Sequence, residues 1–210
     1  MSPSKLSPAK AEKIDLFRQF KDQYATPKTP TLVGMPPAYY LTITGQGEPG
    51  GEVFSLKMGA LYGAAYGLKF AHKKAGPDYK IAPLEGLWWG VRGGIGFLDE
   101  HRSTWQWRLL IRTPEFIGRA ELDASVDVLI GKGKGPELRD VSLEWIEEGT
   151  CVQVLHVGPY SEESKTLAAM EEFAAAHGLK PHGLHHEIYL SDPRRVPPER
   201  LRTILRMPVQ

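Results

Sequence analysis

The stretch PLEGLWWG, residues 83–90, sets one carboxylate, Glu85, among Leu84, Leu87, Trp88 and Trp89. Proline and glycine bracket it, and the apolar, aromatic run between them reads as a strand. A carboxylate in such company is costly to desolvate unless something pairs with it. The same placement occurs a second time. Glu85 follows Gly76 by nine residues (85 − 76), and Glu187 follows Gly178 by nine (187 − 178), inside LEGLWW and HEIYLS respectively.

Working outward, the surroundings of the two glutamates match. A helix precedes each glycine. EVFSLKMGALYGAAYGLKFAHKKA, residues 52–75, carries Val53, Leu61, Ala64, Leu68 and Ala71 at helical spacing. SEESKTLAAMEEFAAAH, residues 161–177, offers Ser161 as a cap and Glu162 and Glu163 at the positive end of the dipole. Two strands precede each helix: TLVGM and AYYLTITG around Pro36 and Pro37, VSLEWIE and CVQVLHVG around EGT. Their spacing predicts a hairpin in each half. Each half closes on a strand with a similar tag, LIRTP (110–114) and ILRMP (204–208). Gly76 to Pro114 is 38 positions and Gly178 to Pro208 is 30, so the glycine-rich GVRGGIGFLDEHRST absorbs an eight-residue excess (38 − 30).

The repeating unit is therefore strand–strand–helix–strand–strand, over residues 31–114 and 141–210. Residues 115–140 join the copies, with FIGRAELDASVDVLI as a helix and GKGKGPEL as a hinge. Residues 1–30 read as an arm with a short helix at 14–24, followed by the linker TPKTPT. The expected fold class is α+β: pseudo-two-fold antiparallel sheets, with two long helices flanking a central cleft. Glu85 and Glu187 would be symmetry mates lining it.

Bulk composition narrows the function. With 26 basic and 25 acidic residues among 210, there is no global field for nucleic acid or an anionic membrane. The single cysteine, Cys151, excludes an internal disulfide, fits a reducing compartment and reads as a core residue. No run is apolar enough for a secretion signal or a membrane span, and a cytoplasmic protein is the default expectation. The five Trp, eight Tyr and seven Phe cluster in the first half, and such clusters often line binding sites.

Strand side chains alternate, so Glu85 shares a face with Leu87 and Trp89, and Glu187 with Tyr189. On the first helix Met58, Tyr62 and Tyr66 form an aromatic stripe separate from its leucine face. The expected cleft has Glu85 and Glu187 on its floor. Its walls draw on Met58, Tyr62, Tyr66, Trp88, Trp89, Trp105, Trp107, Tyr160 and Tyr189. Against this stands the plainer reading, in which each Glu faces solvent or pairs with an Arg such as Arg108 or Arg112 and the tyrosines are core. His182, His185 and His186 suggest a metal, but His185 and His186 are adjacent on a strand and face opposite ways. No metal and no cofactor are expected. GKGKGP lacks the phosphate-loop signature, and DPRRVPPER is a short solvated turn.

The duplicated plan, LEGLWWG, HVGPYSEE and the closing HHEIYLSDPRRVPPERLRTILRMPV together resemble the GyrI-like small-molecule-binding proteins, over residues 31–210. The resemblance implies two SHS2-type repeats and a cleft for flat, aromatic, often cationic molecules. It also implies that Glu187 is the buried ligand-facing glutamate. The family supplies effector domains to multidrug-responsive transcription regulators. No helix-turn-helix pattern precedes this domain, so a transcription factor is not expected. Some stand-alone members are similar to hydrolases that open the cyclopropane of DNA-alkylating natural products. In that case Glu187 would act as general base, with Tyr62, Tyr66 or Arg108 stabilising the departing oxygen. The alternative is a protein-interaction module that modulates or protects DNA gyrase.

Overall fold

Residues 13–90 and 94–210 are described by the structure, a computed structural model, with backbone only at 94–96. In chain order the strands are β1 (Thr31–Met35), β2 (Ala38–Gln46), β3 (Leu84–Trp89), β4 (Gln106–Arg112), β5 (Ser142–Ile146), β6 (Gly149–Val157), β7 (His185–Tyr189) and β8 (Arg202–Pro208). β2 and β6 form where the sequence is rich in β-branched and aromatic residues. The helices are α1 (Leu16–Gln19), α2 (Glu52–Ala75), α3 (Arg119–Gly131) and α4 (Glu163–Ala176). The architecture is α+β, as the sequence predicts.

All eight strands join one antiparallel sheet in the order β1-β6-β8-β7-β3-β4-β2-β5. Read from either end, that order exchanges the two halves, so the pseudo-two-fold passes between β3 and β7. The expected hairpins do not form. β1 pairs with β6 and β5 with β2, so each half lends an edge strand to the other. A two-residue hairpin needs positive φ in its turn; 36–37 supplies none, and the positive φ of Gly149 falls on the first residue of β6. Pro36 and Pro37 instead hold the chain extended.

The short links also force curvature. β1 and β2 lie six strand spacings apart, about 29 Å in a flat sheet. The three Cα steps from Met35 to Ala38 reach at most about 11 Å. The link between β5 and β6 imposes the same limit from the other side, so the sheet curls until its edges come round.

One sheet face carries the helices. Trp88, Trp107, Leu109 and Ile111 pack there on Leu61, Ala64, Ala65 and Leu68 of α2, with Leu122 and Val126 of α3. Gly45 is needed for this packing, because a Cβ there would sit inside the Trp107 ring. A second cluster joins Val152, Val154, Leu205 and Met207 to Leu167, Met170 and Ala174 of α4. Helix ends depart slightly from expectation. α4 begins at Glu163, after a 3-10 turn at Tyr160–Glu162, and Ser161 does not cap it. Gly178 stops the helix with φ of 71°, as predicted. The helix expected at 14–24 shortens to α1, with a turn carrying the chain on to Tyr24.

Candidate ligand-binding site

β7 sits at the centre of the sheet, between β3 and β8. Its pairing sets Gly86 and Leu205 opposite Glu187, and Trp88 opposite His185. His185, Glu187 and Tyr189 therefore face the helices, while His186 and Ile188 face the other way. The register also corrects the expected symmetry of the carboxylates. Glu85 lies opposite Ile188, so it projects from the face away from Glu187. Nine residues from each glycine is the same count in sequence but an opposite parity across the β3–β7 pairing.

Gly86 gives the site its room. A Cβ there would come 2.8 Å from Trp88 Nε1 and 3.0 Å from Tyr189 Oη. Those two atoms form a 2.9 Å hydrogen bond, with the indole donating. Gly86→Ala should wedge that bond apart, cost about 1–3 kcal/mol by overpacking and perturb ligand affinity. Thermal unfolding together with ligand titration checks both effects.

Glu163, the first residue of α4, comes down onto Glu187. With His185 the pair forms a trio whose ligand-capable atoms lie within 4.8 Å of one another. All three are buried, at 4%, 8% and 1% exposure for Glu163, Glu187 and His185. His185 Nε2 comes within 3.2 Å of Glu187 Oε1, off the angle a hydrogen bond needs. Both His185 ring nitrogens and Glu163 Oε1 lack a hydrogen-bond partner among the described residues. Neither carboxylate has a lysine or arginine in ion-pair range among those residues. Burial, and then the charge of Glu187, push the Glu163 carboxyl well above the usual carboxylate range. The start of a helix favours an anion by only about 0.3–1 kcal/mol, and here it is outweighed.

The sign of the linked stability follows. A carboxyl whose folded pKa is raised binds more protons folded than unfolded, so stability falls as pH rises from about 4.5 through the raised value. Glu163→Gln removes that loss. At pH 8 it should be the more stable protein, by about 2–4 °C in Tm for each 1 kcal/mol recovered at this chain length. A pH series of melting curves for both proteins measures the difference.

Aromatic rings wall the site. Tyr160 stands edge-on to Tyr189 at 6.0 Å, and Phe97 stacks on His185 at 6.0 Å. Burial and the nearby Glu187 charge push the Tyr189 phenol well above its ordinary pKa, so it stays neutral. On α2, Tyr62 and Tyr66 stack at 6.3 Å. An open cavity of about 750 Å³ runs from these two rings past Tyr189 to Tyr24, Phe17 and Arg202. Trp105 packs edge-on to Trp88 at 6.1 Å and to Phe97 at 4.9 Å. Met58 is half-buried against the α2 core.

Four candidates belong elsewhere. Glu85 is fully buried on the far face, accepting from Tyr24 Oη and contacting His186 Nε2, both at 2.9 Å. Trp89 shares that face and donates to Gln106. Arg108, opposite Leu87, is also there, ion-paired to Glu144 at 2.9 Å, and cannot serve Glu187. Trp107 has no exposed surface and donates to Gly47 O, which makes it core. Alternation explains the first three, and packing against Gly45 explains the fourth.

The far face is a second polar centre. His186 bridges Glu85 and Glu148, and Glu148 also holds Arg206 at 2.8 Å. The arm covers it: Arg206 donates to Gln23 O, Gln153 to Ala25 O, and Arg112 lies 4.0 Å over the Phe20 ring. Sequence reasoning missed Glu163, Glu148 and Tyr24 as partners, because only the three-dimensional crossing of segments brings them to the buried glutamates. It did separate His185 from His186 correctly.

The profile of the GyrI-like small molecule binding domain matches residues 28–210. An uncharacterized conserved protein from Listeria innocua is 36% identical, with a TM-score of 0.87, over 94% of this chain and 100% of its own. A protein described as a hydrolase from Listeria innocua is 35% identical, with a TM-score of 0.84, over 94% of this chain and 100% of its own. The EcmrR C-terminal domain shares the fold at 12% identity and a TM-score of 0.54, over 87% of this chain and 97% of its own. No curated protein matches. Among the described residues no helix is long and apolar enough to cross a membrane. With that profile spanning most of its length, the chain belongs to the GyrI-like small-molecule-binding family.

Proposed function

We propose that this protein binds flat aromatic molecules, cationic ones above all, in the slot between α2 and β7, with Glu187 as the anchor. One observation carries the reading: two carboxyl groups are buried beside aromatic rings, and no lysine or arginine among the described residues neutralises them. Such a site is incomplete without a cation or a proton. A ligand cation gains the Glu187 charge and about 0.5–2 kcal/mol from each ring face it meets. Tyr62, Tyr66, Tyr160 and Tyr189 are the faces available.

A second reading, hydrolysis, is favoured by the full-length likeness to a Listeria innocua protein described as a hydrolase. Glu187 would take a proton from water as the oxygen bonds to an activated cyclopropane carbon. The ring C–C bond breaks, its electron pair moves through the conjugated ring to the carbonyl oxygen, and that oxygen is protonated as a phenol. Tyr62 or Tyr66 would donate there. General-base assistance contributes about 10²–10⁴-fold.

The test is a panel of aromatic cations, their neutral isosteres and cyclopropane-bearing alkylators, read by thermal unfolding and by product mass. A ligand at 100 times Kd should add about 2.7 kcal/mol of stability. A product carrying one added water establishes turnover. No shift with any small molecule would instead leave a protein-interaction role, such as modulation of DNA gyrase.

A further inference from the structure

Resting on the reading of Glu187 as a cation anchor, we propose that the slot selects cations bearing N–H groups (aryl amidinium, guanidinium or ammonium) over permanently charged quaternary ions. At the proposed anchor, the trio of Glu163, His185 and Glu187 holds hydrogen-bonding capacity that the described residues leave unused. Among the described residues Glu163 Oε1 and His185 Nδ1 are buried without hydrogen-bond partners, His185 Nε2 has only its misaligned 3.2 Å contact with Glu187 Oε1, and His185 itself is 1% exposed. A buried acceptor left unsatisfied costs about 1–3 kcal/mol, a cost removed when a ligand donates to it. Between two carboxyl groups and an imidazole, the trio offers several hydrogen-bonding atoms to one ligand.

An amidinium matches this need. Its planar fork presents parallel N–H bonds to a carboxylate, the bidentate geometry that gives strong, directional pairing. It would place its N–H groups against Glu187 and Glu163 while the aryl body lies along Tyr189 and the Tyr62–Tyr66 stack. A quaternary ammonium or phosphonium brings charge but no donor, so it leaves the acceptors of the trio unsatisfied. Its substituents also hold the charge away from the carboxylate oxygens. A divalent metal could fit the same trio, but ligating histidines almost always donate their second nitrogen to a partner, and His185 Nδ1 has none among the described residues.

Four probes on one naphthyl body separate the outcomes: 2-naphthamidinium, its tetramethylated amidinium, 2-naphthyltrimethylammonium and neutral 2-naphthamide. In the wild type the N–H amidinium should bind about 10–100-fold tighter than either alkylated cation, the factor expected for one charge-assisted hydrogen bond. In Glu163→Leu that preference should shrink by about 2–10-fold, as expected when one of the two acceptors is gone. Equal affinity for the N–H and alkylated cations overturns the selectivity and leaves the cation-anchor reading intact. No advantage of any cation over the amide removes both. Stoichiometric Zn²⁺ binding that blocks the amidinium overturns the proposal in favour of a metal site. The wild-type comparison needs no variant, so it stands even if Glu163→Leu misfolds.

Discussion

Glu187→Gln should weaken binding of an aromatic cation by about 100-fold, equivalent to about 2.7 kcal/mol, while leaving its neutral isostere within about threefold. The substitution keeps the shape, the Tyr189 neighbour and the position opposite Gly86, and it removes one charge. In bulk water that charge would matter little, but in a partly dry slot the effective dielectric is lower and the attraction correspondingly larger. Losing one partner of a buried charge pair typically costs 2–5 kcal/mol, much of it from the stranded partner. Here the stranded partner is the ligand, which can stay in solution, so the lower end applies. Fluorescence titration of both ligands against both proteins decides the matter. Parallel losses for the two would show that Glu187 shapes the slot without acting through its charge.

The largest effect on stability belongs to the far face. Arg206→Met leaves Glu148 buried with one cationic partner fewer, and breaking a buried pair from one side costs about 3–5 kcal/mol. At this chain length the Tm should fall by about 6–20 °C. Methionine fills similar volume, so the loss measures charge and hydrogen bonds rather than a cavity. The pH dependence follows from the same centre. Burial raises the Glu148 carboxyl, but the charges of His186 and Arg206 outweigh that and hold it at about 2. Burial lowers His186, but Glu148 and the bond to Glu85 prevail and carry it up to about 9. Glu148 thus stabilises above its ordinary 4.5, losing this as pH falls through about 2. His186 stabilises below its ordinary 6.5, losing this as pH rises through about 9. Both contributions are complete between 4.5 and 6.5. Melting curves of wild type should decline above that window, and those of His186→Gln should be flatter there.

How much of this was legible in the sequence depends on distance along the chain. Helix α2 and strand β7 were readable because apolar spacing and alternation are local properties. Cys151 was correctly expected in the core, where burial pushes its thiol up to about 12. The equal offsets of Glu85 and Glu187 were visible too, but the face each occupies depends on pairing between β3 and β7, which no local pattern encodes. Treating the halves as mirror copies put both glutamates in one cleft. The structure gives each its own environment: Tyr24, His186 and Glu148 around the first, Glu163 and His185 around the second. The exchanged edge strands escaped notice for a similar reason, since Pro36 and Pro37 punctuate a hairpin and a straight crossing equally well in text.

That exchange of β1 and β5 has a mechanical consequence. Neither half owns a complete sheet, so pulling one away from the other must peel two strands as well as part β3 from β7. A nick in the glycine-rich segment after α3 would leave two polypeptides clasped at three seams, and domain-by-domain unravelling is closed to this chain. The two halves are thereby held together by interlocked backbone rather than by a hinge.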